Sequence, residues 1–233
     1  MIEGKAVIFD MDGIIFDSER LVLYCWEKLA EKYQLDNMRE AYLPCIGTND
    51  VRMKEIMMDY YGAEFPYDKL RKESSILFHE MVEREGLPVK KGARKLLEFL
   101  ELHRIPVGLA SSTRLAVVTE ELKQAGLYGF FHAVTGGDQL KRSKPEPDIY
   151  LMACEKLGVR PEDTYAVEDS YNGIRSSYSA GMLPVMVPDL LPPTVEMREK
   201  SVIVLEDLLQ VRDWFLNWRK RDAKQRVYGK GNR

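Results

Sequence analysis

Four short apolar runs recur along the chain, at residues 6–9, 105–110, 164–167 and 184–187. Each run is too short for an ordinary helix, and it is continuous rather than alternating with polar residues. Such runs are typical of strands that are buried on both faces, as in a parallel sheet. The pattern therefore predicts four strands of one buried parallel sheet.

Helical patterns fill the intervals around the later strands. Three segments place apolar residues on one helix face and stop at a glycine, which commonly terminates helices. These segments are residues 115–125, 149–157 and 174–180, and a further helix is predicted over residues 93–102. Strands and helices that alternate at this spacing form right-handed βαβ units. The predicted fold class is α/β.

One long segment interrupts the alternation. Residues 17–86 carry helical patterns and no convincing strand. The buried stripes expected there are Leu21, Tyr24, Cys25 and Leu29, then Ile56, Met57 and Tyr60, then Leu70, Leu77 and Met81. The simplest account is a helical insertion after the first strand. The predicted domains are a core of residues 1–16 and 87–218 and a helical unit of residues 17–86.

The C-terminal end differs from the rest of the chain. Leu208, Val211, Phe215 and Trp218 predict a last amphipathic helix. Residues 219–233 then contain seven Lys or Arg and one Asp, a local charge of +6, so that residues 1–218 carry −9 of the total of −3. We interpret this basic tail as a solvated segment rather than as a nucleic-acid contact.

Composition narrows the class of protein. The 233 residues are 45% hydrophobic and 30% charged, which is typical of a globular domain rather than a disordered chain. The small net charge gives no reason to expect a nucleic-acid partner, and no apolar run approaches the roughly 18–20 residues that span a bilayer. Unevenly spaced Cys25, Cys45 and Cys154 indicate reduced thiols. We expect a cytoplasmic monomer with no nucleic-acid or membrane partner.

Two carboxylates follow the first predicted strand. Asp10 and Asp12 flank a turn in which Gly13 permits the chain to change direction. Open α/β sheets bind ligands at the carboxyl ends of their strands, and two converging carboxylates favour a hard cation such as Mg²⁺. The alternative is that these aspartates only form a turn.

Polar residues also follow other predicted strands. Ser111 and Ser112 precede a helix, where they either bind an anion or cap the helix. Lys144 lies in a proline-rich loop and either neutralises a bound phosphate or faces solvent. Glu168 and Asp169 either complete a metal site or cap the next helix. Because all of them lie at one edge of a parallel sheet and are chemically complementary, we expect one site.

These motifs resemble those of the haloacid dehalogenase superfamily, in the phosphatase branch that carries a helical C1 cap after the first motif. The matching residues, in the order of the family, are Asp10-Met11-Asp12-Gly13, Ser111, Lys144-Pro145 and Glu168-Asp169. The resemblance runs from residue 5 to about residue 187, and residues 143–150 and 167–181 look especially like those of β-phosphoglucomutase and its sugar-phosphatase relatives. It implies a Rossmann-like core, a helical-bundle cap, a phosphoryl-transfer enzyme and a Mg²⁺ cofactor.

The resemblance also implies a role for each matching residue. Asp10 would attack phosphorus and form an aspartyl-phosphate, and Asp12 would act as the general acid and then the general base. Ser111 would contact the transferring phosphoryl group, and Lys144 would hold it. The implied Mg²⁺ ligands are Asp10, the backbone carbonyl of Asp12, Asp169 and, directly or through water, Glu168.

Two departures from the family favour a phosphatase over a mutase. β-Phosphoglucomutases carry a histidine on the first cap helix where this chain has Val22, and an arginine after the cap-loop glycine where it has Thr48. We expect hydrolysis of a small phosphorylated metabolite, a sugar phosphate. A β-phosphoglucomutase-type phosphotransferase and a non-catalytic phosphometabolite-binding protein are the alternatives. The expected substrate contacts are Gly47, Thr48, Asn49, Arg52 and Ser112.

Overall fold

A computed structural model describes residues 6–46, 48 and 50–217 of the chain. Its strands are β1 (Ala6–Phe9), β2 (Val107–Ser111), β3 (Ala133–Gly136), β4 (Thr164–Glu168), β5 (Leu183–Met186) and β6 (Ile203–Val204). They form one sheet in the order β3-β2-β1-β4-β5-β6. All neighbouring pairs are parallel, so every strand ends at the same edge of the sheet. The predicted α/β class and parallel sheet are confirmed.

The apolar pattern does not predict β3 or β6. The only large apolar residue of β3 is Val134, and β6 consists of two half-buried residues. Both strands lie at the ends of the sheet, where a strand has one neighbour and is only partly covered. The signal of a continuous apolar run is therefore weakest at the two edges.

Four α-helices lie between β1 and β2 in the described part of residues 17–86. They are α1 (Ser18–Tyr33), α2 (Met38–Tyr42), α3 (Asp50–Tyr61) and α4 (Tyr67–Glu85). They pack around an apolar cluster of their own that includes Leu23, Trp26, Met57 and Leu70. The rings of Trp26 and Tyr67 stack in this cluster, with their centroids 6.0 Å apart. We refer to residues 17–86 as the helical insertion.

The buried stripes predicted for the helical insertion are partly wrong. Tyr24 is 43% exposed and Tyr60 is 45% exposed. The half-buried residues are Leu21, Ile56, Leu77 and Met81. The inward face of α1 is set by Trp26, the largest buried side chain, which brings Leu23 inward and turns Tyr24 outward. The hydroxyl of Tyr60 stays at the surface and donates to Glu40 over 3.2 Å.

The linkers of the helical insertion pair with each other. The Asp17 N–H donates to the Pro88 carbonyl over 2.8 Å, and the Lys90 N–H donates to the Ile15 carbonyl over 2.9 Å. Phe16 and Val89 form an antiparallel bridge between these two hydrogen bonds. Since β1 ends at Phe9, the helical insertion begins and ends close to the carboxyl edge of the sheet.

Helices cover both faces of the sheet. They are α5 (Ala93–Leu102), α6 (Leu115–Gln124), α7 (Asp148–Leu157), α8 (Tyr171–Ser179), α9 (Val195–Lys200) and α10, residues 208–217. Val7 and Phe9 of β1 pack on one face with α5, α6 and α10. Ile8 faces the opposite side and packs with α7. Burial on both faces explains why β1 is apolar at every position.

The remaining sequence predictions concern the C-terminal segment of the chain, the three cysteines and membrane spans. Leu208, Val211 and Phe215 are buried in α10, as predicted. Trp218 and the basic tail of residues 219–233 lie outside the described residues. Cys25, Cys45 and Cys154 are buried and free of disulfides. In the part of the chain that the structure describes, no helix combines the length and the apolar character that a membrane span requires.

Candidate active site

The candidate site begins where β1 ends. The Asp10 N–H donates to the carbonyl of Val167 on β4, which continues the sheet by one residue. The next residues form a tight turn, in which Met11 accepts hydrogen bonds from the amides of Ile15 and Phe16. Gly13 has φ of +78°, a conformation that side chains other than glycine rarely adopt. This turn places Asp10 and Asp12 at the carboxyl edge of the sheet.

Lys144 connects the carboxylates of β1 and β4. Its Nζ donates to Asp10 Oδ1 over 2.5 Å and to Glu168 Oε1 over 2.6 Å. The lysine side chain is 7% exposed, so these ion pairs are shielded from water. Burial acts to lower the pKa of the Lys144 ammonium, but Asp10 and Glu168 together outweigh it and raise that pKa. Lys144 is therefore a buried permanent cation beside Asp10.

Glu168 is hydrogen-bonded through both of its oxygens. Oε1 accepts from Lys144 and, over 2.7 Å, from the hydroxyl of Tyr150. Oε2 accepts from the amides of Asp169 and Ser170, over 3.1 and 3.2 Å, and from the Ser170 hydroxyl over 3.1 Å. A Cβ at Gly173 in the first turn of α8 would lie 1.9 Å from the Glu168 carboxyl group. Glu168 is thus fixed against the N-terminus of α8.

Three buried carboxylates form a group that fits a metal ion. Asp10, Glu168 and Asp169 each offer an oxygen, and these oxygens lie within 4.8 Å of one another. Asp169 lies against the β1 turn, since a Cβ at Gly13 would be 2.2 Å from its Oδ2. An all-oxygen set of carboxylates suits Mg²⁺. The structure therefore brings together three of the four residues that the sequence predicts as metal ligands, namely Asp10, Glu168 and Asp169.

The electrostatics of the group point in the same direction. Burial raises the pKa of Asp10 to about 8, although the Lys144 ammonium opposes that rise. Burial also raises the pKa of Asp169 well above its ordinary value, and Glu168 and Asp10 raise it further. One ammonium does not balance three buried carboxylates. A divalent cation at this position would stabilise the ionised forms of Asp10 and Asp169.

The Asp12 carboxylate accepts three hydroxyl hydrogen bonds. Ser18, the first residue of α1, donates to Oδ1 over 2.6 Å. Ser111 and Thr113 donate to Oδ2 over 3.4 and 3.2 Å. Asp12 thus has partners from the helical insertion and from the end of β2. The two aspartates of the turn have different environments, one beside an ammonium and one among hydroxyls.

Several residues of this constellation escape the sequence analysis. Tyr150 lies on α7, where its position looks like that of any core aromatic. Its contacts with the site are a hydroxyl hydrogen bond to Glu168 and a ring contact with the Lys144 ammonium. Thr113 and Ser18 sit next to predicted features, but the direction of their hydroxyls depends on the exact start of α6 and α1. The signal that was available is proximity in sequence, because Thr113 follows Ser111 by two positions and Ser18 follows Asp12 by six.

The remaining predicted contacts have other positions in the structure. The hydroxyl of Thr48 donates to the Cys45 carbonyl over 2.6 Å. Arg52 lies on α3 with its side chain 57% exposed, and it pairs with Glu55. Ser112 is exposed at the end of β2. Gly47 and Asn49 lie outside the described residues. The roles of all five of these residues as substrate contacts stay predictions.

A cluster of charged side chains joins the helical insertion to the sheet. Asp189, in the loop after β5, accepts hydrogen bonds from Arg20 of α1 over 2.9 Å and from Lys90 of the exit linker over 2.7 Å. Lys90 also pairs with Asp17 of the entry linker over 3.3 Å. We refer to Asp17, Arg20, Lys90 and Asp189 as the hinge ion cluster. The neighbouring Leu190 packs against the apolar cluster of the helical insertion.

Comparison with known proteins agrees with this geometry. The model of the haloacid dehalogenase-like hydrolase family matches residues 7–187. A phosphorylated carbohydrates phosphatase of Thermotoga maritima is 33% identical over 181 residues, which is 76% of this chain and 82% of that protein. The β-phosphoglucomutase of Bacillus subtilis is 32% identical over 214 residues, 87% of this chain and 92% of that enzyme.

Solved structures agree at the level of the whole fold. A Thermotoga maritima protein assigned as a β-phosphoglucomutase superposes with a TM-score of 0.74 and 28% identity, over 91% of this chain and 99% of that one. The similarity therefore spans the sheet and the helical insertion together. The family match covers the β1 turn, Lys144 and the end of β4. The chain belongs to the haloacid dehalogenase-like hydrolase family, as its motifs predict.

Proposed function

We propose that this protein is a Mg²⁺-dependent phosphatase that hydrolyses a small phosphorylated metabolite, a sugar phosphate, through an aspartyl-phosphate intermediate. The observation that carries the proposal is the contrast between the two aspartates of the β1 turn. Asp10 is paired with a buried ammonium, and Asp12 is turned toward hydroxyl donors. A nucleophile beside a cation and a separate acid–base group are what phosphomonoester hydrolysis requires.

The first step transfers the phosphoryl group to Asp10. A carboxylate oxygen of Asp10 forms a bond to phosphorus while the bond between phosphorus and the ester oxygen breaks. Asp12 gives its proton to that oxygen, which leaves as an alcohol. Lys144 contacts only Oδ1 of Asp10, so its charge can neutralise both the nucleophile and the incoming phosphate without covering the second oxygen.

The second step removes the phosphoryl group from Asp10. A water molecule attacks phosphorus, Asp12 now accepts the proton of that water, and the bond between phosphorus and Asp10 breaks. Inorganic phosphate leaves, and Asp10 is again a carboxylate. We propose that Ser111, at the end of β2, donates to the phosphoryl oxygens once its 3.4 Å contact with Asp12 is released.

The residues that would hold Mg²⁺ are Asp10, Asp169 and the backbone carbonyl of Asp12, the last on the basis of the family resemblance. Bound there, Mg²⁺ would neutralise charge on the phosphoryl oxygens. Both oxygens of Glu168 already accept hydrogen bonds from protein donors. We therefore assign Glu168 to holding Lys144 and the α8 N-terminus, with any contact to the metal through water.

The choice of hydrolysis over phosphoryl transfer to a second sugar rests on Val22. This residue replaces the histidine that the family resemblance places there in mutases, and it packs against the apolar cluster of the helical insertion. It has no polar atom to offer a substrate. This chain is similar both to a phosphatase and to a β-phosphoglucomutase, so the two activities need to be compared directly. With β-glucose 1-phosphate and a catalytic amount of bisphosphate primer, we expect release of inorganic phosphate and no glucose 6-phosphate beyond the amount of the primer.

The helical insertion is proposed to act as the cap of the site. Its two linkers pair beside the β1 turn, and Ser18 of α1 reaches Asp12 directly. A cap that closes over the sheet edge excludes water and limits the substrate to small molecules. We propose that the protein acts as a monomer in the cytoplasm, with domains divided at residues 16–17 and 86–87.

The proposal predicts that an aryl phosphate is hydrolysed only with Mg²⁺ and Asp10. We expect activity to disappear with a chelator and to fall at least about 10³-fold in Asp10→Asn, because the nucleophile is gone. Asp12→Asn is expected to lose about 10²–10⁴-fold. Because an aryl leaving group needs little protonation, Asp12→Asn should accumulate phosphorylated protein that mass spectrometry detects.

The matched control is Asp59→Asn, a substitution of the same type at an exposed position of α3. It is expected to retain wild-type rates. Activity that survives Asp10→Asn would contradict covalent catalysis. If the wild-type protein binds inorganic phosphate but turns over no phosphate ester, the binding-protein alternative replaces the phosphatase.

A further inference from the structure

Tyr150 is a completely buried side chain with two distinct contacts to the site. Its hydroxyl donates to Glu168 Oε1 over 2.7 Å. The Lys144 ammonium lies 5.0 Å from the centre of the Tyr150 ring and donates to its hydroxyl oxygen over 3.5 Å. The residue is 0% exposed and belongs to α7, which packs on the sheet face opposite α5 and α6. The two charged groups that it contacts are Glu168 and Lys144, and neither of them is a proposed nucleophile or acid–base group.

The contacts of Lys144 show what Tyr150 contributes. The ammonium donates to Asp10 on one side and to Glu168 on the other, with a longer contact of 3.4 Å to the Ala110 carbonyl. The Tyr150 ring closes a further side by a cation–π contact. An ammonium can otherwise move between two carboxylates, since it is a compact charge on a flexible stem. The ring and the hydroxyl remove that freedom.

The hydroxyl also affects how strongly Glu168 attracts Lys144. Glu168 Oε1 shares its negative charge between two donors, the lysine and the tyrosine. Without the hydroxyl, Oε1 would have Lys144 as its remaining side-chain partner among the described residues. We expect the ammonium then to shift toward Glu168 and away from Asp10. Such a shift would weaken the contact between Lys144 and Asp10, beside which the phosphate group is proposed to bind.

We propose that Tyr150 is a positioning residue for Lys144, one that sets the balance of the ammonium between Glu168 and Asp10. This inference rests on the proposed function, since Lys144 has a phosphate to hold only in a phosphoryl-transfer site. Tyr150 acts through Lys144 and Glu168 and does not touch the substrate. Its ring contacts the ammonium, and its hydroxyl competes with the ammonium for Glu168.

The test removes the two contacts separately. Tyr150→Phe keeps the ring and loses the hydroxyl, whereas Tyr150→Met loses both. We expect kcat/KM for an aryl phosphate to fall about 10-fold in the first variant and about 100-fold in the second, because small displacements of positioning groups are costly. Most of that loss should lie in KM, because Lys144 also holds the phosphate group before the reaction. Tyr67→Phe is the control, since it removes another buried hydroxyl that donates to a carboxylate, Asp50, in the helical insertion.

A double-mutant cycle separates positioning from a general structural role. In a Lys144→Met background, Tyr150→Phe is expected to change kcat/KM by less than about twofold, because the group that it positions is gone. An equal loss in both backgrounds would show that Tyr150 only supports α7 and would overturn the proposal. Wild-type kcat/KM in Tyr150→Phe would overturn it as well.

Binding of inorganic phosphate gives a readout that does not depend on turnover. By isothermal titration, we expect Tyr150→Phe to bind inorganic phosphate about 5- to 10-fold more weakly than the wild-type protein, with Tyr67→Phe unchanged. Unchanged phosphate affinity in Tyr150→Phe would contradict the proposal. The proposed function fails on a different result, namely the absence of Asp10-dependent turnover in the wild-type protein, so the two failures are distinguishable.

Discussion

Two glycine residues, Gly13 and Gly173, shape the site as much as its charged residues do. At Gly13 the backbone has φ of +78°, and the space where a Cβ would lie is occupied by the Asp169 carboxyl group. The β1 turn and the end of β4 can approach each other because this position is glycine. At Gly173 the same is true for the carboxyl group of Glu168. The absence of two methyl groups therefore allows three carboxylates to converge.

Gly13→Ala is predicted to abolish most of the activity while the fold survives. The new Cβ would lie 2.2 Å from Asp169 Oδ2 and must displace that proposed metal ligand. We expect at least a 100-fold loss of kcat and a higher Mg²⁺ concentration for half-maximal rate. Both are measured by titrating Mg²⁺ in an aryl phosphate assay.

The matched control for this prediction is Gly62→Ala. Gly62 also has a positive φ, of +95°, but a Cβ there would meet no atom within 4 Å. Both variants carry the same conformational strain, of about 1 kcal/mol. Only Gly13→Ala is expected to lose activity. Equal activity in the two variants would disprove the argument that Asp169 depends on the missing methyl group.

At the scale of elements, α8 links helix capping to the site. Ser170 is the N-cap of α8, and its hydroxyl oxygen accepts from the Gly173 amide over 3.0 Å. The same hydroxyl donates to Glu168 over 3.1 Å. The helix N-terminus also favours the negative charge of Glu168. One side chain thus starts the helix and restrains the carboxylate that pairs with Lys144.

Ser170→Ala is predicted to lower both stability and activity. Loss of an N-cap costs about 1 kcal/mol of unfolding free energy, and we expect kcat to fall several-fold because Glu168 loses a donor. Thr194→Ala is the control, since Thr194 caps α9 and accepts from the Met197 amide over 3.3 Å. It should lose similar stability in urea denaturation with no change in kcat. A stability loss without a rate change in Ser170→Ala would disconnect the cap from catalysis.

The helices and strands also show which structural features can be predicted from the sequence and which cannot. The runs that form β1, β2, β4 and β5 are predictable because strands buried on both faces must be apolar throughout. The rule that parallel strands end at one edge then brings Asp10, Lys144 and Asp169 into one hypothesis. The exposed Tyr24 and the hydroxyl of Tyr150 are not predictable in this way. Their orientation depends on how α1 and α7 rotate against their neighbours, which apolar periodicity does not specify.

At the scale of the whole molecule, the hinge ion cluster holds two apolar cores together. The side chain of Asp189 is 1% exposed and pairs with both Arg20 and Lys90. Its Oδ2 is buried without a hydrogen-bond partner among the described residues. The carboxylate of Asp189, in the loop after β5, therefore pairs with Arg20 of the helical insertion and with Lys90 of its exit linker.

Asp189→Asn is predicted to destabilise the protein by about 1–3 kcal/mol, because it leaves two cations without their shared anion. It should also raise KM, since the helical insertion is held less firmly over the site. Urea denaturation and steady-state kinetics measure the two effects. Asp213→Asn is the control, because Asp213 is 54% exposed and pairs with the adjacent Arg212. That change should cost less than about 0.5 kcal/mol. Equal losses in the two variants would remove any special role for the cluster.

The central position of β1 has a consequence for the newly made chain. β1 is synthesised before its partners β2 and β4, which are Val107–Ser111 and Thr164–Glu168. The whole helical insertion leaves the ribosome before either partner exists. Until then β1 is an apolar segment with two unpaired edges, the type of segment that promotes aggregation. Asp10 and Asp12 follow it directly, so the charges needed for chemistry also flank a hydrophobic strand that waits for its partners during synthesis.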